Sequence, residues 1–142
     1  ELFMVHRPFK ILGIEHVGVA TKSVKSLSGI FTDILGLKYV GYEEVQDQQV
    51  ITKIFDTGKG KIEFLEPTSS NSSISNFINK KGMGIHHIAL LVDHIQPALD
   101  FLQAKGIELI DKKPRMGAEG FSIAFLHPKS TGGILVELCE KK

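Results

Sequence analysis

Residues 13–20 read GIEHVGVA and residues 84–91 read GIHHIALL, so one strand-like motif occurs twice in this chain. A shift of 71 residues places His16 on His87, and the matching of apolar positions continues into the helix-like stretch after each motif. Two copies are too few to stack as a repeat array. The pattern therefore predicts a duplicated supersecondary unit with two equivalent halves.

Each half also ends in a strand that carries a glutamate. Residues 62–66 read IEFLE and residues 136–140 read VELCE, which makes Glu63 and Glu137 the matching pair. Their separation of 74 residues indicates a small difference in loop length between the halves. A pseudo-twofold relation between the halves would bring these two glutamates together with the two histidines.

His16, Glu63, His87 and Glu137 are the candidate metal ligands. Each histidine alone would be explained as a core residue, and each glutamate alone as a strand surface group. The joint pattern favours a metal, because glutamate is rarely placed in an apolar strand without a partner. Two imidazoles and two carboxylates predict one divalent ion (Zn, Co, Mn or Ni, with Fe(II) also compatible) that keeps open positions for substrate.

The neighbours of these residues are not expected to bind the metal. Strand alternation predicts that His86, and Glu15 at the matching position, point to the opposite face from the ligands. Glu66 and Glu140 also match each other, but they come three residues after the ligand candidates. We interpret both as surface groups at strand ends.

The composition is typical of a soluble globular protein, with 42% hydrophobic and 23% charged residues in 142. A net charge of +1 gives no electrostatic reason to expect a nucleic acid or membrane partner. The single cysteine, Cys139, excludes an internal disulfide framework and predicts a cytoplasmic location. Leu2, Phe3 and Met4 lie near the start, but residues 1–12 lack the features of a signal peptide.

Hydrophobic spacing predicts the same order of elements in both halves of a single domain, residues 1–142. Module one (about 13–67) has strands over 14–20, 37–45, 50–56 and 61–66, with a helix capped by Ser23 and ended by Gly36. Module two (about 84–140) has strands over 85–92, near 107–110, 121–126 and 134–139, with a helix over 95–105 capped by Asp93 and ended by Gly106. The connector (about 68–83) contains a short helix near residues 74–78.

Each module is therefore βαβββ. The predicted fold class is α+β, with the two modules forming a curved eight-stranded sheet around a metal-binding cup.

Three stretches resemble the vicinal oxygen chelate superfamily, which includes glyoxalase I, extradiol dioxygenases, antibiotic-resistance proteins and the methylmalonyl-CoA epimerases. They are KIEFLEPTS (61–69), the region from 77 through GIHHIA (84–89), and FLHPKSTGGILVEL (125–138). The last is long and specific, and it is closest to the epimerases. The resemblance implies that His16, Glu63, His87 and Glu137 bind the metal and that Glu137 also transfers protons.

The resemblance further implies a metal-dependent isomerase that epimerises methylmalonyl-CoA or a related 2-substituted acyl-CoA, and a homodimer. One position departs from the pattern. Some of these epimerases have a second acid/base glutamate on the third strand, where this chain has Thr52. Glu43 and Glu44 are the candidate substitutes, although a charged strand end explains them as well. Lys113, Arg115, Lys129 and His127 are loop candidates for contacts with the CoA substrate.

Two other functions stay open. A glyoxalase I-like lyase that acts on a thiol adduct would use the same ligands and the same enolate chemistry. A non-catalytic metabolite- or antibiotic-binding protein would use the same fold, although such proteins often lack the full ligand set. An extradiol dioxygenase is less favoured, because it would use three ligands and usually a longer chain.

Overall fold

The computed structural model of the protein describes residues 6–142. Within that range the strands and α-helices are, in chain order, β1 (Ile11–Ala20), β2 (Lys38–Val45), β3 (Val50–Asp56), β4 (Lys61–Pro67), α1 (Ser73–Lys81), β5 (Gly84–Val92), α2 (Ile95–Ala104), β6 (Arg115–Met116), β7 (Ser122–Leu126) and β8 (Val136–Glu140). A π-helical segment, Gly29–Ile34, follows β1, and short 3-10 turns lie at Gln46–Gln48, Ala118–Gly120 and Pro128–Ser130.

The strands form one sheet in the order β2-β3-β4-β1-β5-β8-β7-β6. β1 and β4 are parallel, whereas β2–β3, β3–β4 and β7–β8 are antiparallel. The strand that begins each predicted module therefore lies beside the strand that ends it. An eight-stranded α+β fold class is confirmed.

The chain divides into two compact units. The N-terminal unit is Glu15–Ile88, and the C-terminal unit is the chain up to Ile14 together with Ala89–Lys142. In the N-terminal unit, α1 packs on one apolar cluster of the sheet, and the π-helical segment packs on another. The buried members are Ala20, Val50, Leu65, Ile74 and Ile78 in the first cluster, and Val24, Phe55 and Phe64 in the second.

The core of the C-terminal unit lies between α2 and the strands β5, β7 and β8. Leu99 on α2 is fully buried there, and the other buried members are Phe9, Val92, Ile95, Ala98, Ala124, Leu126 and Leu138. A smaller cluster joins Ala89, Ile123 and Cys139. The division of the domain into modules at 13–67, 68–83 and 84–140 stays a prediction.

Several local predictions are confirmed. Gly36 and Gly106 both have positive φ (80° and 88°) and follow the π-helical segment and α2, because glycine adopts this left-handed conformation without steric cost. The connector contains α1, whose N-terminus is capped by the Ser72 hydroxyl accepting from Ile74 N at 3.1 Å. Ile74 and Ile78 of that helix are buried.

The helix predicted from Ser23 is shorter than expected. Its regular part begins at Gly29, and Ser28, not Ser23, occupies the N-cap position without a side-chain cap bond. Residues 24–28 form hydrogen-bonded turns, such as Ser28 N to Val24 O at 3.0 Å. Gly29 stands at the first helical position, and glycine has a low helix propensity. The Thr32 hydroxyl donates a hydrogen bond to Ser28 O at 2.6 Å.

The interpretation of Glu66 and Glu140 as surface groups is wrong, as is the cap assigned to Asp93. Glu140 accepts a hydrogen bond from Ile95 N, the first residue of α2, at 2.8 Å. Glu66 accepts from Val24 N at the matching position of the other half. Asp93 accepts instead from Lys10 N at 2.7 Å. Each half therefore uses its strand-end glutamate to satisfy a donor at the start of its helical segment.

The strand predicted near 107–110 is also wrong. Leu109 makes one isolated bridge to Leu126, and β6 lies instead at Arg115–Met116. The Asp111 carboxylate accepts from Phe125 N at 2.9 Å, which occupies a donor that a regular strand ladder would have used.

Among residues 6–142, no helix has the length and apolar character needed to cross a bilayer. Leu2, Phe3 and Met4 lie outside the described residues.

Candidate metal centre

The register of β1 and β4 positions the first two candidate ligands. His16 lies opposite Lys61, and Gly18 lies opposite Glu63, in a parallel pair. Residues two apart on a strand share a face, so His16 and Glu63 lie diagonally on one face of the sheet. Both residues are buried, at 6% and 5% exposure. Burial of a carboxylate in an apolar strand indicates a polar or cationic partner.

His87 reaches the same place from β5, where its ring lies against Gly18. A Cβ atom added at Gly18 would lie within 3 Å of three atoms of the His87 ring. The absence of a side chain at Gly18 therefore makes room for this imidazole. His87 is also buried, at 5% exposure.

The two histidines meet through their Nε2 atoms, which are 3.0 Å apart. Their rings are nearly perpendicular, with an interplanar angle of 85°. Two imidazole ligands at about 2.1 Å from one ion and at right angles would have nitrogens about 3.0 Å apart. The donor chemistry and the spacing of these two buried imidazoles fit a divalent metal.

The other nitrogen of His16, Nδ1, contacts two carboxylates. Glu15 Oε1 is 2.7 Å away and Glu63 Oε2 is 3.4 Å away, and the ligand atoms of these three residues lie within 4.8 Å of one another. The second oxygen of Glu15 forms an ion pair with Lys61 Nζ at 2.8 Å. Because Lys61 already supplies a positive charge there, Glu15 suits a supporting role better than that of a ligand.

Glu15 was expected to point away from the site, and that expectation is wrong. Burial raises the pKa of its carboxyl, but hydrogen bonds from His16 and Lys61 outweigh burial and leave the pKa below its usual value. Glu15 is therefore ionised at neutral pH and can only accept hydrogen bonds. The signal in the sequence was its position directly before a candidate ligand.

His86 likewise contacts the candidate ligand that follows it. Its Nδ1 lies 2.9 Å from Nδ1 of His87, and its ring packs edge-on against Phe77 with the centroids 4.9 Å apart. Burial, together with the charges of His87 and Lys81, lowers the pKa of His86 to about 4. His86 is therefore in contact with a candidate ligand, which alternation along the strand does not predict.

Glu137 lies on β8 in the C-terminal unit and is buried, at 4% exposure. It is paired with Phe125 of β7 across an antiparallel ladder. Its burial is the property expected of the fourth ligand.

Thr52 is buried in the middle of β3, opposite Glu43 on β2 and Leu65 on β4. Leu65 is two residues from Glu63, so Thr52 and Glu43 share the sheet face that carries Glu63. Glu43 is half-buried, whereas Glu44 points to the other face and is exposed. The register thus separates two glutamates that the sequence left equivalent.

The loop candidates for CoA contacts have structural partners of their own. His127 Nδ1 accepts from Lys129 N at 3.1 Å, which stabilises the turn. Lys129 Nζ pairs with Glu108 at 2.9 Å, and Arg115 pairs with Asp111 at 3.3 Å. Lys113 is exposed.

Comparison with known proteins identifies the family of this chain. The model of the glyoxalase/bleomycin resistance protein/dioxygenase superfamily matches residues 15–125. The chain belongs to this superfamily. The membership predicted from the three sequence stretches is confirmed.

Within the superfamily, the chain is similar to methylmalonyl-CoA epimerases. It is 37% identical over 129 residues to the mitochondrial methylmalonyl-CoA epimerase of Dictyostelium discoideum, covering 90% of this chain and 78% of that protein. A variant of the Streptomyces coelicolor epimerase in complex with 2-nitronate-propionyl-CoA superimposes with a TM-score of 0.86 at 27% identity, covering 93% and 99% of the two chains. The uncharacterized protein YqjC of Bacillus subtilis is 40% identical over 129 residues, covering 91% and 92%.

Proposed function

We propose that this protein is a metal-dependent epimerase of methylmalonyl-CoA or a related 2-substituted acyl-CoA. The observation that carries the proposal is the pair of buried imidazoles whose Nε2 atoms converge at 3.0 Å, in a chain similar to epimerases along most of its length. A metal at that point suits chemistry at a carbon next to a carbonyl group.

The proposed ligands are His16, Glu63, His87 and Glu137, and the proposed metal is Zn, Co, Mn or Ni. All four side chains are buried, which supports a shared cationic partner. Two carboxylates would neutralise a divalent charge within the protein. When bound, such an ion supplies Lewis-acid stabilisation of the negative charge that develops on the thioester oxygen.

The protein's own residues would then move the proton. Glu137 removes the proton on one face of the α carbon, which gives an enolate, and reprotonation on the opposite face gives the other epimer. One base on one face would return the original epimer, so a second acid/base group is needed. Thr52 cannot act as a base at neutral pH, and its register neighbour Glu43 is the proposed second group.

Deuterium exchange tests the proposal directly. The metal-loaded protein, incubated with methylmalonyl-CoA in deuterium oxide, should incorporate deuterium at the α carbon and interconvert the two epimers. Glu137→Gln should abolish inversion, and the exposed Glu44→Gln should leave it unchanged. Failure of the metal-loaded wild type to exchange would refute the epimerase proposal.

That failure would leave the two alternatives, which two further assays separate. Turnover of a hemithioacetal of a 2-oxoaldehyde and a thiol would indicate a glyoxalase I-like lyase. Tight binding of a metabolite or antibiotic without turnover would indicate a binding protein. A homodimer and a cytoplasmic location also belong to the proposal, and sedimentation equilibrium of the purified protein tests the first.

A further inference from the structure

Each of the two histidines is contacted by the residue directly before it. His16 Nδ1 lies 2.7 Å from the Glu15 carboxylate, and His87 Nδ1 lies 2.9 Å from His86 Nδ1. Glu15 and His86 occupy matching positions of the two halves, 71 residues apart. In both halves the contact reaches Nδ1, the ring nitrogen that does not face the other histidine.

Both contacting residues are themselves held in place. Lys61 fixes the second carboxylate oxygen of Glu15 at 2.8 Å, and its own side chain is only 20% exposed. Phe77 of α1 packs edge-on against the His86 ring. An element of the surrounding fold therefore orients each of these two residues.

The contacts determine which ring nitrogen carries the proton. A neutral imidazole has one N–H and one lone pair, and the nitrogen that binds a metal must supply the lone pair. A metal on Nε2 therefore requires the proton on Nδ1, and Nδ1–H requires an acceptor. Partners of this kind typically orient metal-binding histidines and raise their basicity.

We propose that Glu15 and His86 are positioning residues that hold His16 and His87 as Nδ1–H tautomers, so that both Nε2 lone pairs are available to a metal. The inference rests on the metal centre of the proposed function, but not on the substrate. Lys61 and Phe77 support the two positioning residues.

The two positioning residues differ in chemistry. The Glu15 carboxylate can only accept a hydrogen bond, so it commits His16 to the Nδ1–H form. His86 can accept or donate, and it accepts from His87 only when its own proton is on Nε2. His16 is thus fixed for metal binding, whereas His87 depends on the tautomer of its neighbour. Two halves that match in sequence are therefore unequal in their readiness to bind a metal.

Metal affinity measured without substrate tests the inference. The full-length protein is titrated with Zn²⁺ against a chromophoric chelator, for the wild type and for Glu15→Leu, Glu15→Gln, His86→Leu and His86→Gln. Leucine provides no acceptor, and the carboxylate that remains near His16 Nδ1 in Glu15→Leu, that of Glu63, is 3.4 Å away. Each leucine variant should therefore bind Zn²⁺ about 10–100-fold more weakly. The amide oxygen of glutamine can accept, so each glutamine variant should retain most of the affinity.

Two variants serve as matched controls. His94 and Glu44 are exposed, so His94→Leu and Glu44→Leu should bind Zn²⁺ like the wild type.

Long-range ¹⁵N–¹H spectra of the Zn²⁺-loaded wild type should show both ligand imidazoles protonated at Nδ1. This readout does not depend on whether the leucine variants fold.

The outcomes separate this inference from the proposed function. Unchanged affinity in folded Glu15→Leu and His86→Leu, or an Nε2–H signal from either ligand histidine in the loaded protein, would overturn it. A wild type that binds Zn²⁺ with the expected variant pattern but does not exchange the α proton would support it and would overturn the epimerase. A wild type that binds no divalent metal would overturn both.

Discussion

Replacement of Glu43 by glutamine should separate proton exchange from inversion. Glu43 lies directly opposite the buried Thr52 in the β2–β3 ladder and on the sheet face that carries Glu63. Neighbouring strands are about 4.8 Å apart, and a glutamate side chain is long enough to span much of that distance. The carboxylate of Glu43 can therefore reach the position that the carboxylate of a glutamate at residue 52 would occupy.

The expected magnitude follows from the loss of one acid/base group. Such a group typically contributes a factor of about 100–10,000, which corresponds to about 2.7–5.4 kcal/mol of activation free energy. Inversion by Glu43→Gln should therefore fall at least about 100-fold in both directions, because each direction needs a group on each face. Metal binding should stay unchanged, because Glu43 is not one of the proposed ligands.

The assay starts from each epimer separately, in deuterium oxide, and measures deuterium content and configuration together. In Glu43→Gln, the epimer whose α proton faces Glu137 should still exchange with retention, because Glu137 can remove and return the proton on its own face. The other epimer should not exchange. This asymmetry distinguishes the loss of one base from a general loss of activity.

Two variants complete the test. Glu44→Gln, on the exposed face of the same strand, should behave like the wild type. Thr52→Glu in the Glu43→Gln background should restore inversion, because it returns a carboxylate to the sheet face that carries Glu63. Normal inversion by Glu43→Gln would refute the reasoning from strand register.

Three further results are expected. Zn, Co, Mn or Ni at about 1,000 times its Kd should raise the Tm by roughly 8–16 °C over chelator-treated protein. Such binding adds about 4 kcal/mol to the stability, and each kcal/mol shifts the Tm of a chain of this size by about 2–4 °C. Calorimetry of His16→Gln should show no comparable shift. Glu140→Ala should lower the free energy of urea unfolding by about 1 kcal/mol, more than Asp93→Ala, and the reverse order would contradict the assigned cap. Leu99→Ala should cost about 2–5 kcal/mol, and a loss under 1 kcal/mol would contradict its place in the core.

Much of the fold was accessible from the sequence, because strand alternation and helix-ending glycines are local properties of the chain. The duplication added long-range information, since matching positions in two copies of one unit have matching places in the fold. The duplication relates His16 to His87 without any information on tertiary contacts. The prediction of a strand near 107–110 is wrong because the Asp111 carboxylate accepts a hydrogen bond from a backbone N–H of β7. No local sequence pattern indicates such a contact.

Hydrogen-bond partners were decided only by the tertiary structure. Glu66 and Glu140 cap helical segments that lie 42 and 45 residues earlier in the chain. The local spacing of residue types therefore does not predict either hydrogen bond. Strand register distinguished Glu43 from Glu44, which the sequence presents as equivalent neighbours.

The repeated motif alone determined that two histidines occupy equivalent places in two halves. The structure decided how they meet. The Nε2 atoms converge because Gly18 leaves space for the His87 ring. The Nδ1 atoms face Glu15 and His86 because those side chains turn towards the histidine beside them. Alternation along a strand fixes the direction of the backbone bond to Cβ, but the rotamer and the packing around it fix where the functional atoms lie.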